Sequence, residues 1–112
     1  MPTRTRVLGQ RFTVALHKDL AFDHPEQGVV GCLGICDADA QHIAIDPDQS
    51  ADRLRETYLH EHIHAMLSLA GMRDTLGSSR EERVVKRLAP ILLQFLRDNP
   101  AVYSFLTGRA AR

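Results

Sequence analysis

ADRLRETYLHEHIHAMLSLAG, residues 51–71, decides the fold reading, because the apolar period changes here from about two residues to about 3.6. Leu59, Ile63, Met66 and Ala70 form one helical stripe. Ser50 offers a side-chain oxygen to the first free amides of that helix, and Gly71 tolerates the left-handed backbone that ends one. The spacing predicts a helix over about 51–70.

Upstream, the pattern is that of strands. In RFTVALH (11–17) Phe12, Val14 and Leu16 share one side. LAFDHPEQG, which follows, is rich in turn formers and reads as a loop. Residues 32–36 and 42–45 read as two strands of a hairpin joined through Asp37–Ala40, and Pro47 ends the second by removing a ladder donor. Downstream, MRDTLGSS reads as a linker. Ser79 with Glu82, or Ser78 with Glu81, matches a capping box that opens a second helix. Val84, Val85, Leu88, Ile91, Leu92 and Phe95 give that helix a wide apolar face. Pro90 is expected to kink it or begin a new segment, since it removes one intrahelical bond. Asn99-Pro100 ends it, and AVYSFL forms a last short helix. Strands first and helices after make a small α+β domain: about three antiparallel strands packed on two long helices and a short one. We expect one domain over 1–112, its β part at about 7–48 and its helical part at about 50–107.

Composition narrows the function classes. The chain is 44% hydrophobic and 25% charged, an ordinary globular balance. Fourteen basic residues cancel fourteen acidic ones, so no net field draws it to nucleic acid or to anionic membrane. Arg80, Arg83, Lys86 and Arg87 cluster, but on a helix that also carries acids, and they read as a solvated face. A nucleic-acid binder using them would show strongly salt-dependent binding. No apolar run approaches the ~18 residues of a membrane span, and MPTRTRVLGQRF has no leader-like apolar region. The expected location is therefore cytoplasmic, with Cys32 and Cys36 as free thiols in the core. On one strand their Cα atoms would be ~13 Å apart, too far for a disulfide or a shared ion.

Within the first helix, His60-Glu61-His62-Ile63-His64 contains HExxH. Residues four apart lie one turn apart on the same face, so His60 and His64 can reach one ion. Glu61 lies about 100° further round, beside such an ion rather than on it, where it could take a proton from water. His62 lies roughly 200° from His60 and faces away; it is expected to be exposed or at an interface.

Two histidines and a water leave a tetrahedral zinc one protein ligand short. Glu81 and Glu82 are the candidates. With Glu81 as origin, Val84, Val85, Leu88, Leu92 and Phe95 fall within about 60° of it, so Glu81 follows the apolar face. A carboxylate aimed at a core is costly unless paired or metal-bound, which favours Glu81 as ligand and leaves Glu82 to cap. One zinc ion is the expected cofactor, although two histidines and a carboxylate also suit iron or manganese. Glu56 could support a ligand histidine but pairs more simply with Arg53. His17, His24 and His42 are scattered. His42 or Tyr103 could stabilise an oxyanion, with nothing in the sequence to bring either to the site.

IAIDPDQSADRLRETYLHEHIHAML followed by SSREERVVKRLAPILLQFLRDNP resembles the short, mostly phage-encoded metallopeptidases of the ImmA/IrrE type. The resemblance spans roughly residues 10–100 and is most specific at His60, Glu61 and His64. It implies a gluzincin-like site with zinc on His60, His64 and Glu81, Glu61 as general base, and a protein or peptide substrate. It departs from larger members at His62-Ile63, where Leu-Gly is usual, and their extra domains are not expected here. The other expectation is a catalytically silent, metal-stabilised regulatory protein.

Overall fold

The computed structural model describes residues 1–109. Six strands and four helices follow in order: β1 (Arg4–Val7), β2 (Gln10–Leu16), β3 (Ala21–His24), β4 (Gly28–Gly31), β5 (Gly34–Asp37), β6 (His42–Ile45), α1 (Ala51–Leu69), α2 (Met72–Leu76), α3 (Ser78–Asp98) and α4 (Pro100–Thr107). The α+β class and the strands-then-helices order are as expected. The strand count is not.

β1 and β2 form a hairpin whose two-residue turn, Leu8-Gly9, has both residues at positive φ, as the twist-matching hairpin turns require. β1, where charged residues alternate with Thr5 and Val7, is not among the expected strands. β3 and β4 make a separate two-stranded sheet within the stretch read as a loop. Turn formers there mark the tip of a hairpin; Pro25 sits between the strands, and the amides of Glu26 and Gln27 donate to His24 Nδ1. The predicted hairpin is present as β5–β6, with the Asp37 carboxylate accepting from the Ala40 amide across the turn. Its first strand begins at Gly34, so Cys32 lies before it.

The main sheet runs β1-β2-β6-β5. β2 and β6 are parallel, Val14 opposite Ile43 and Leu16 opposite Ile45, so the sheet is mixed rather than purely antiparallel. β6 thereby occupies the interior, and β5 forms an edge.

α1 starts where Ser50 accepts a hydrogen bond from the Arg53 amide and ends at Gly71, φ 75°. On one side it meets a cluster of Val7, Phe12, Val14, Ile43, Ile45 and Ala65. On the other, Ile63 packs with Val85 and Ala89 of α3. Each large aliphatic or aromatic side chain fully buried here contributes roughly 1.5–3 kcal/mol. The linker read as MRDTLGSS contains α2. α3 begins after Gly77 with no side-chain cap, so neither predicted capping box forms. It also runs unbroken through Pro90 to Asn99, after which Pro100 opens α4.

The packing of α1 on the sheet needs one residue without a side chain. A Cβ on Gly34 would lie 2.9 Å from Glu61 Cγ, Glu61 Oε2 and Thr57 Cγ2. Glu61 and Thr57 are buried on α1 and have little room to move. We therefore expect Gly34→Ala to destabilise the protein by about 1–3 kcal/mol. The check is urea unfolding, where the midpoint should fall with the slope unchanged.

Candidate metal centre

His60 and His64 project from α1 on consecutive turns, their ring centroids 5.0 Å apart. Glu82, in the first turns of α3, meets both: its Oε1 lies 2.9 Å from His60 Nε2 and its Oε2 lies 3.1 Å from His64 Nε2. One ligand atom from each of the three lies within 4.8 Å of the others, a spacing from which a single cation could be held.

Glu81 occupies a different position. It is 4% exposed, as its place on the apolar face predicts, but its Oε2 accepts from His64 Nδ1 at 2.8 Å, on the far side of the ring. The expectation that Glu81 would join the two histidines on the ion is thus not met by the geometry; the carboxylate gathered with both Nε2 atoms is that of Glu82. The reason is which part of α3 faces α1. Val85, Ala89 and Leu92 line the contact. Measured from Val85, Glu81 falls about 40° to one side and Glu82 about 60° to the other, at 3.6 residues per turn. The two carboxylates therefore straddle the seam and take opposite nitrogens of His64.

These contacts fix chemistry. Carboxylates at both nitrogens make the His64 ring a donor from each, and because Glu81 holds the Nδ1 proton, Nε2 is the atom that would exchange its proton for a cation. Burial pulls the His64 pKa down, but hydrogen bonds to Glu82 and Glu81 outweigh it, and the net shift is upward. Hydrogen bonds from His60 and His64 hold the Glu82 carboxyl down to about 2, so it is ionised at neutral pH. Glu81 Oε1 is buried with no hydrogen-bond partner, an electrostatic cost that a divalent charge nearby would offset. Two imidazoles and an ionised carboxylate, converging beside a further buried carboxylate, could together hold a metal ion.

Glu61 is buried against β5, with Oε2 4.0 Å from His60 Nε2. It stands beside the three-residue group without belonging to it. Burial raises its pKa, partly opposed by His60 and His64. A carboxyl raised in this way is a better proton acceptor than a solvated one.

His62 faces away from this group, as the helix geometry requires, but it is not exposed. It is 6% accessible, its Nδ1 hydrogen donates to the Tyr58 carbonyl at 2.7 Å, and its Nε2 accepts from Thr5 Oγ1 at 2.9 Å. The Tyr58 ring lies 4.4 Å away. The partner that covers it is β1, the strand missed in the sequence, which is why exposure was expected. His42 bonds to Thr13 on the sheet, and Tyr103 is half exposed on α4; neither belongs to the group.

Compared with protein-family models, with curated proteins and with solved structures, the chain matches none. Among the described residues, no helix is long and apolar enough to cross a membrane.

Cys36 and Cys32 are free, and both are partly buried. Burial, with Glu61 and Asp37 nearby, pushes the Cys36 thiol up to about 12; burial raises Cys32 as well, without carrying it so far. Only thiolate reacts, so iodoacetamide at pH 8 should alkylate Cys32 well before Cys36. Peptide mapping of the alkylated protein would reveal the opposite order.

Proposed function

We propose that this chain is a zinc-dependent metallopeptidase of the HExxH kind, in line with its resemblance to the ImmA/IrrE type. The observation that carries the reading is the convergence of His60 Nε2, His64 Nε2 and the Glu82 carboxylate, with Glu61 beside the group but outside it. His60, His64 and Glu82 hold the ion in this proposal, and Glu81 orients His64 from behind. Zinc held by these residues would acidify water toward a pKa of ~7 and polarise a scissile carbonyl. Glu61 Oε2 accepts the proton of the attacking water and returns it to the leaving amine, yielding one carboxylate and one amine per bond cut. An extended peptide substrate would pair with the open edge of β5, which runs past Glu61 at Gly34.

Two measurements test this. Zinc affinity by competition with a chelator should fall about 10–100-fold for Glu81→Gln, and further for Glu82→Ala. If Glu82→Ala keeps full affinity while Glu81→Ala loses it, Glu81 is the ligand after all. Cleavage of a diverse peptide library should disappear in Glu61→Gln with zinc stoichiometry retained. Zinc bound by the wild type with no cleavage across the library would point instead to a metal-stabilised binding protein.

A further inference from the structure

The apolar face of α3 is wider than its contact with α1. Val84, Leu88, Ile91 and Phe95 are 44%, 41%, 67% and 48% exposed. They are spaced four, three and four residues apart, so they lie within about 60° of one another and form a stripe over three turns. That spacing is the seam a second helix fills with its own side chains. Beside it, Leu76 of α2 and residues of the stripe border an open groove of about 510 Å³.

Three arginines, Arg80, Arg83 and Arg87, line that same groove. On the helix they lie on the side of the stripe away from α1, spread over about 60°. All three are exposed, and none lies within ion-pair distance of a carboxylate among the described residues. An apolar seam with a one-sided cationic flank has a definite complement. A second copy of α3 would bring arginine to arginine if antiparallel, which repels, and if parallel would set the arginines against the flank that α1 already covers. A bare anionic surface would leave the apolar stripe unmatched by shape. The stripe and flank together fit an amphipathic helix with apolar residues at the same four-three spacing and acidic residues along one border.

We propose that this face of α3 binds an acidic amphipathic helix of a partner protein, the apolar stripe supplying contact area and Arg80, Arg83 and Arg87 selecting negative charge. The surface is separate from the metal centre, so the proposal stands whether or not the chain cleaves peptides.

The probe is a fluorescein-labelled helical peptide of about five turns, with leucines at four-three spacing and glutamates along one border. Fluorescence anisotropy with the full chain should show saturable one-to-one binding that weakens as salt rises. The double variant Arg80→Glu, Arg87→Glu should weaken it at least tenfold, and Ile91→Ser, at the most exposed position of the stripe, at least several-fold. Circular dichroism should show both variants folded like the wild type. Equal binding of a permuted peptide of the same composition would overturn the proposal. So would wild-type affinity in both variants, or self-association through this face with no peptide bound. Binding to anionic vesicles or duplex DNA without binding to the peptide would likewise assign the arginines to another partner.

Discussion

Everything in this molecule leans on α1 being covered from two sides. The sheet takes the face of α1 that carries Ala65 and His62, and α3 takes the face that carries Ile63. A helix clamped in this way has little freedom to rotate or slide, so the side chains between its two buried faces have defined positions. His60 and His64 project from that intermediate strip, largely covered, toward the first turns of α3. The rigidity that a ligand set needs comes from apolar packing several residues away from it.

Electrostatics then act on a prepared geometry. His64 is gripped at both nitrogens, by Glu81 from the buried side and by Glu82 from the exposed side. Adjacent residues on a helix normally diverge by about 100° and serve different surroundings. Here they serve one ring, because the line of contact between the two helices passes between them. Gly34 works in the same sense on the opposite side, since its missing side chain admits Glu61 to the sheet. Thr57 extends the arrangement: it donates to Gln49, whose amide holds the Asp46 carbonyl in the segment that joins β6 to α1.

Much of this was legible beforehand and some was not, for identifiable reasons. Period, cap and stop signals predicted α1 to within a residue, because Ser50 and Gly71 act locally. HExxH was legible because one turn of helix is a local distance. Which carboxylate gathers with the two histidines was not, because it depends on which half of a wide apolar face is used. Val84, Val85, Leu88, Leu92 and Phe95 all look like core in one dimension, yet only Val85 among them is fully buried, with Ala89 beside it. The small residue in that row was the available clue, since close helix contact favours it. The capping-box pattern misled for a similar reason: Glu81 and Glu82 match it, but histidines on another element compete for both. β1 was missed because four residues are too short a run for the alternation of Arg4 and Arg6 with Thr5 and Val7 to stand out, and the β3–β4 hairpin because its strands are almost wholly exposed.

The β3–β4 hairpin buries little and touches neither core cluster, so its place in the fold is easily dismissed. It lies, however, inside the long excursion that separates two neighbouring parallel strands, β2 and β6. Closing a disordered segment of that length carries an entropy cost that grows with the logarithm of the free chain, about 0.6 kcal/mol for each doubling. A hairpin that forms from local contacts, pinned where the Cys32 amide donates to the Leu20 carbonyl, draws the two ends of its own stretch together. What remains to be closed is shorter. A segment that buries almost nothing can in this way lower the entropic cost of bringing together the two strands that pack against the HExxH helix.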